Sequence, residues 1–269
     1  NHWYRPRGLD NLASTADHHS VVLRRGDHAQ CTRIGFQLAP DDDLGAFEKQ
    51  TSAQGVKTLR KTDPEPTIAE MVTFEDPKGT VMEVFKRPDP QTQGFRAAGI
   101  VSHKLGHVAF HCVDVKAVTQ FYCAVLGFRV SDWMGDFFSF LRCGVDHHTI
   151  NLMGTGSNKH FHTAFELRDW PHMQSPCDFL SKNGYKILWG PGRHGIGHNL
   201  FTYHRGPNGL ITELFAIPTK QNSTKYWTRS SLTPPPQKPP NLSWPSWLKR
   251  VNSKRWPMRP SCLRSNKTI

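Results

Sequence analysis

The chain repeats itself, and this constrains its fold more than any single motif does. Asp17-His18-His19-Ser20-Val21-Val22-Leu23 is echoed by Asp146-His147-His148-Thr149-Ile150-Asn151-Leu152, 129 residues later. Ile34-Gly35-Phe36-Gln37-Leu38 is echoed by Thr163-Ala164-Phe165-Glu166-Leu167 at the same offset. Asp76-Pro77-Lys78-Gly79 and Met82-Glu83-Val84-Phe85 are echoed by Gly206-Pro207-Asn208-Gly209 and Thr212-Glu213-Leu214-Phe215 at an offset of 130. Matches in register along the chain imply two copies of one unit, joined near Pro88–Ile100.

Each copy reads as a strand, a helix, then several strands. Leu105 to Cys112 alternates like a half-buried strand, with His107, Ala109 and His111 on one face. Val118, Phe121, Tyr122 and Val125 fall at helical spacing, and Gly127 ends that helix, predicted over Val115 to Leu126. Phe128–Val130, Phe137–Arg142 and Thr149–Met153 follow as strands. Phe161–Leu167 opens a second such unit, with a helix from about Met173 to Lys182, then strands at Ile187–Trp189, Asn199–His204 and Leu210–Ala216. The second copy therefore holds two βαβββ units, and the fold class is α+β. In the first copy Trp3–Arg5 aligns with Phe138–Phe140, which leaves the opening strand, helix and strand without counterparts. The expected organisation is an incomplete, non-catalytic unit over 1–95, a catalytic unit over 100–217, and a tail over 218–269.

Composition matters chiefly in that tail. The formal charge of +12 is concentrated there, with eleven Lys or Arg, no Asp or Glu, nine Pro and four Trp after residue 217. Proline at that density blocks helix and sheet ladders, so a solvated, disordered tail is expected. A basic, Trp-bearing arm for nucleic acid is the competing reading, but no aromatic–basic period supports it, and no nucleic-acid partner is expected. No run of about 20 apolar residues is present, so no membrane helix is expected. The N-terminus lacks a basic stub and apolar core, so no signal peptide is visible. Cys31, Cys112, Cys123, Cys143, Cys177 and Cys262 form no CxxC pair, which fits free thiols in a reducing cytoplasm.

The chemistry lies in the histidines. Gly106-His107-Val108-Ala109-Phe110 and Phe161-His162-Thr163-Ala164-Phe165 place a His at equivalent repeat positions. Glu213 interrupts the apolar run of the last strand, where an unpaired carboxylate would be costly. Two His and one carboxylate suit non-haem Fe(II) and leave coordination positions open. Strand parity alone separates neither His160 from His162 nor His111 from His107; the shared xAF pattern selects His107 and His162. In the first copy Arg33 stands where His162 does, although Glu83 matches Glu213, so one metal ion per chain is expected.

With these residues the chain resembles the vicinal oxygen chelate superfamily. Its stretch Gly192-Arg193-His194 … Tyr203 … Pro207-Asn208-Gly209 … Glu213 is similar to the type I extradiol ring-cleavage dioxygenases. Thr202 and Gly206 depart from the usual signature, at strand-packing and turn positions. The resemblance covers roughly 1–217 and implies metal ligand roles for His107, His162 and Glu213. It also implies catalytic roles for His148, as the acid–base His, for His194, as a donor to the bound catecholate, and for Tyr203, as the phenol beside the metal. His198 lies in the same Gly-rich loop as His194, and the nine-residue spacing to Tyr203 favours His194. The implied activity is Fe(II)-dependent cleavage of a catecholic ring with O2, with Mn(II) as an alternative metal, in a homo-oligomer. Competing expectations are a glyoxalase-type lyase or isomerase, which would add a fourth protein ligand, a non-enzymatic aromatic-binding protein, and an inactive remnant. Trp133, Phe137, Phe165, Trp189 and Ile196 are expected around the site and hint at a multi-ring substrate.

Overall fold

The structure is a computed structural model that describes residues 9–14, 19–86 and 99–217. Trp3–Arg5, most of the junction near Pro88–Ile100, and the tail over 218–269 lie outside the described residues, as does Cys262. The first half contains β1 (Leu9–Leu12), β2 (Val21–Arg24), β3 (Arg33–Gln37), α1 (Leu44–Ala53), β4 (Leu59–Glu65), β5 (Ile68–Glu75) and β6 (Val81–Phe85). The second contains β7 (Lys104–Cys112), α2 (Val115–Val125), β8 (Arg129–Met134), β9 (Phe138–Arg142) and β10 (Ile150–Gly154). It continues with β11 (Lys159–Leu167), α3 (Trp170–Lys182), β12 (Ile187–Arg193), β13 (Leu200–Arg205) and β14 (Ile211–Ala216).

The fold is α+β. The second half folds as two βαβββ units that share one eight-stranded sheet, ordered β12-β13-β14-β11-β7-β10-β9-β8. Strands β7 and β11, the first of each unit, pair antiparallel at its centre, and each pairs in parallel with the last strand of its own unit. A third unit, β3-α1-β4-β5-β6, forms a four-stranded sheet ordered β3-β6-β5-β4, and β1 pairs with β2 apart from it. At the 129-residue offset that relates β2 to β10, the counterpart of β9 is Leu9–Leu12 and not Trp3–Arg5.

Local chemistry sets the helix ends. Asp43, Asp114 and Asp169 each accept a bond from the amide three residues on, at 2.7, 2.9 and 2.9 Å, which satisfies a donor left orphaned at a helix start. Gly127 takes the positive φ that follows α2. Helix α3 begins at Trp170, earlier than expected, because the Asp169 cap and Pro171 set its start while its buried stripe begins only at Met173. Strand β12 runs on to Arg193 through Gly190-Pro191-Gly192, which reads as loop, because two register shifts against β13 absorb the irregularity.

One apolar core joins the halves. Phe36, Phe47, Phe74, Met82 and Val84 pack with Phe110, Phe121, Tyr122, Leu141 and Ile150, with Phe74 and Phe121 ring centroids 6.2 Å apart. A second cluster under α3 holds Leu167, Met173, Leu180, Leu200 and Leu214. Within the shared core sits a polar knot. Lys78 binds Asp76, and their side chains are 1% and 0% exposed. Lys78 Nζ also lies 2.7 Å from Thr80 Oγ1 and 3.9 Å from the Phe110 ring centroid. From the second half, the Tyr122 hydroxyl donates to Asp76 Oδ2 at 3.0 Å. The five cysteines among the described residues form no disulfide, and no helix there is long and apolar enough to cross a membrane.

This knot yields a stability prediction. Lys78→Met leaves Asp76 buried without its counter-charge and should cost about 3–5 kcal/mol in urea unfolding. Tyr122→Phe removes one bond to a charged group and should cost about 1–3 kcal/mol. Equal, small losses from both would show that the ion pair does not hold the two halves together.

Candidate metal centre

The central strands set out a transverse row. Tyr203 on β13 faces Glu213 on β14, Glu213 faces Ala164 on β11, and Ala164 faces His107 on β7. Cross-strand partners share a sheet face, as do residues two apart, so His162 joins the row beside Ala164. Ala164 is fully buried, and its methyl group leaves the space above it to the larger side chains. His107 Nε2 lies 2.9 Å and His162 Nε2 3.1 Å from Glu213 Oε2, and the two nitrogens are 3.2 Å apart. These three ligand atoms lie within 4.8 Å of one another, and among the described residues no other His, Cys, Asp or Glu group has this form.

Two bulges build this convergence. On β11, His160 pairs with Phe110 while His162 pairs with Ala109, so Phe161 is an extra residue. The shared parity of His160 and His162 is therefore broken, a correction to the sequence reading. His160 turns to the opposite face, with its Nε2 2.9 Å from Thr163 Oγ1 and its ring 6.0 Å from Phe110. His111 keeps the face of His107 but lies about 13 Å further along the strand, beside Thr155 and Phe161. On β7 the extra residue is Gly106. A Cβ there would come within 2.3 Å of the Phe215 ring, which packs 5.0 Å from the His107 ring.

The environment sets protonation. His107, His162 and Glu213 are 3%, 2% and 1% exposed. Burial favours the neutral acid at Glu213, but the charge and hydrogen bonds of His107, with bonds from His162 and His194, outweigh it and hold the carboxyl well below its usual range. Burial lowers His162 against the pull of Glu213, and burial with the nearby His107 places His148 well below its ordinary value. Burial also pushes His147 down to about 3. Tyr203 is raised by burial and then by the Glu213 carboxylate, so its phenol keeps its proton.

The other predicted residues pack around this group. His148 stands edge-on to His107 with ring centroids 4.3 Å apart, and its Nδ1 lies 2.7 Å from His147 Nδ1. His194 Nε2 lies 3.1 Å from the Tyr203 hydroxyl and 3.5 Å from Glu213 Oε1, and its ring stacks on Phe201 at 3.9 Å. His198 is exposed at positive φ, and its carbonyl accepts from Arg193. Trp189 faces Tyr203 on β13 and stacks on it at 5.4 Å, 59% exposed at the rim.

The expected aromatic surroundings are largely replaced. Trp133 and Phe165 pack into the two cores on the opposite face, and Phe137 is exposed. Phe140, Phe201 and Phe215 stand near the site instead. Sequence reasoning also misses Asn199, a buried residue whose Nδ2 donates to Glu213 Oε1 at 3.2 Å; its only signal is a polar residue at the mouth of an apolar strand.

The first copy repeats the frame without the ligands. Gly35 faces Glu83 as Ala164 faces Glu213. Arg33 Nη1 lies 2.9 Å from Glu83 Oε1 and 3.5 Å from Glu65 Oε1, and Arg24 also binds Glu65 at 3.0 Å. A guanidinium thus lies where the second copy brings its imidazoles together.

The chain is similar in sequence and fold to known proteins. The pattern of the Glyoxalase/Bleomycin resistance protein/Dioxygenase superfamily matches residues 104–214. The Mn(II)-bound glyoxalase from Novosphingobium aromaticivorans is 31% identical, with a TM-score of 0.69, over 78% of this chain and 74% of that one. Metapyrocatechase 2 of Cupriavidus necator is 28% identical over 212 residues, 71% of this chain, and the match spans 65% of that protein's length. An iron-dependent extradiol dioxygenase of Rhodococcus jostii is 25% identical over 77% of this chain and 76% of its own.

Gly106→Ala should force the Phe215 ring against His107 and weaken binding of Fe(II) or Mn(II) by about 10–100-fold in metal titrations. Unchanged affinity would show that Phe215 and His107 adjust to the added methyl without cost.

Proposed function

We propose that this chain, which belongs to the Glyoxalase/Bleomycin resistance protein/Dioxygenase superfamily, is an Fe(II)-dependent extradiol dioxygenase that opens a catecholic ring with O2. One observation carries the reading. The candidate ligand atoms of His107, His162 and Glu213 lie together on one face of the sheet, with His148 packed on His107 and His194 beside both Glu213 and Tyr203. The donor set fits a divalent ion. Two imidazole nitrogens 3.2 Å apart both point at one carboxylate oxygen, an arrangement that a shared cation relieves. The same role is open to Mn(II).

What a bound iron supplies is Lewis acidity toward the two catechol oxygens and a route for charge to O2. The protein's part is binding and proton handling. His148, packed edge-on against His107, accepts a catechol proton and returns it as the ring opens. Tyr203 keeps its proton and serves as a donor, oriented by His194. Phe140 packs on His148, and Phe201 and Trp189 pack on His194 and Tyr203, so aromatic rings flank the group, a setting that favours aryl-substituted catechols. Catalysis falls to 100–217, and the unit over 1–95 is non-catalytic because Arg33 occupies its ligand position. Both oxygen atoms of O2 enter the product.

A metal-dependent lyase or isomerase is the second reading, favoured by the identity to the Novosphingobium glyoxalase. Against it, the group among the described residues contains three candidate ligands and no second carboxylate.

Reconstitution with Fe(II) without air should load about one ion per chain. Admitting air with catechol or 2,3-dihydroxybiphenyl should then produce a yellow ring-fission band. Loaded iron with no product from either compound would overturn the dioxygenase reading. His148→Phe should retain the metal yet turn over about 100-fold more slowly; normal turnover would remove His148 from the chemistry.

A further inference from the structure

His148 sits on the 143–149 connection between β9 and β10, which leaves β9 at Arg142 and re-enters the sheet where the Thr149 amide donates to Leu141 at 2.7 Å. Its middle makes several side-chain contacts. His147 meets His148, and His148 rests against His107 and Phe140. One of these contacts is ionic. Lys104, the first residue of β7, puts its Nζ 2.5 Å from Asp146 Oδ2 and 3.2 Å from Glu166 Oε2. Glu166 is the cross-strand partner of Lys104 on β11. The Lys104, Asp146 and Glu166 side chains are 18%, 23% and 7% exposed, so water screens the group only in part.

We infer that Lys104 is a positioning residue for His148: its bond to Asp146, braced by Glu166, ties the connection to the sheet and holds the imidazole against His107. The inference rests on the acid–base role proposed for His148. The tie begins three residues before one candidate ligand and ends two residues before the proton carrier, so it fixes one relative to the other. Burial disfavours the Lys104 ammonium, but Asp146 and Glu166 more than offset it and raise its pKa, so the tie stays charged. An untied connection of this length would sample several backbone states, and its ordering would be lost from each turnover. The first copy supplies an internal contrast. There the counterpart of Glu166 is Gln37, in the half where Arg33 replaces the ligand His.

The test uses Lys104→Met, which keeps most of the stem without the charge, with Lys104→Arg and Asp146→Asn as companions. In the metal-free chain, 15N order parameters over 144–148 should fall from about 0.85 to below about 0.6 in Lys104→Met and Asp146→Asn, and stay high in Lys104→Arg. In the iron-loaded chain, Lys104→Met should keep its metal and its KM while kcat falls about 10–100-fold, with Lys104→Arg restoring it. Combined with His148→Phe, Lys104→Met should cost nothing more, because the tie acts only through that imidazole. Unchanged order parameters, or a full further loss in the His148→Phe background, would overturn the inference. An ordered connection in a chain that cleaves no catechol would instead sink the proposed function and leave the tie standing.

Discussion

A carboxylate placed where water cannot reach it governs the second half of this protein. Glu213 lies on an inner strand of an eight-stranded sheet, 1% exposed, and an ion in such a place must be met by opposite charge or by directed hydrogen bonds. His107, His162, His194 and Asn199 all direct a nitrogen at it. The parallel pairing of β11 with β14 and the antiparallel pairing of β11 with β7 bring two of these residues within reach. Ala164 keeps the middle of the row open, and the bulges at Phe161 and Gly106 turn the imidazoles inward. The site is thus a property of sheet register, and a slip of one residue would send its ligands to opposite faces.

Much of this was legible in the sequence because duplication writes the same constraint twice. The offset of 129–130 residues aligned the strands that carry His162 and Glu213 with their first-half counterparts, and the xAF pattern singled out His107 and His162. Helix α2 was legible because its buried side is a regular stripe. What escaped was irregular. A bulge adds one residue to one strand and leaves no compositional mark, so strict alternation does not carry from His160 to His162. Trp133 and Phe165 are aromatic and near in sequence to the site, but alternation sends them to the far face. Pattern alone aligns Trp3–Arg5 with β9, and only the pairing of Leu9–Leu12 with β2 supplies the register that corrects it.

The two halves are not beads on a string. Phe74 packs on Phe121, and Asp76 of one half receives the hydroxyl of Tyr122 from the other. Helix α2 and strand β7 therefore rest on the first half's sheet, and β7 carries both His107 and Lys104. The unit that lacks the ligands still forms part of the foundation on which they stand.

Arg33 gives that foundation a character of its own. A guanidinium joined to the backbone cannot be chelated, exchanged for a different ion or oxidised, and it holds Glu83 and Glu65 regardless of what the surroundings supply. One half carries its positive charge within the chain, whereas under the proposed function the other takes it from solution. The first half's buried carboxylates thus stay paired whatever ions the solution holds, and the sheet built around them needs nothing from outside the chain.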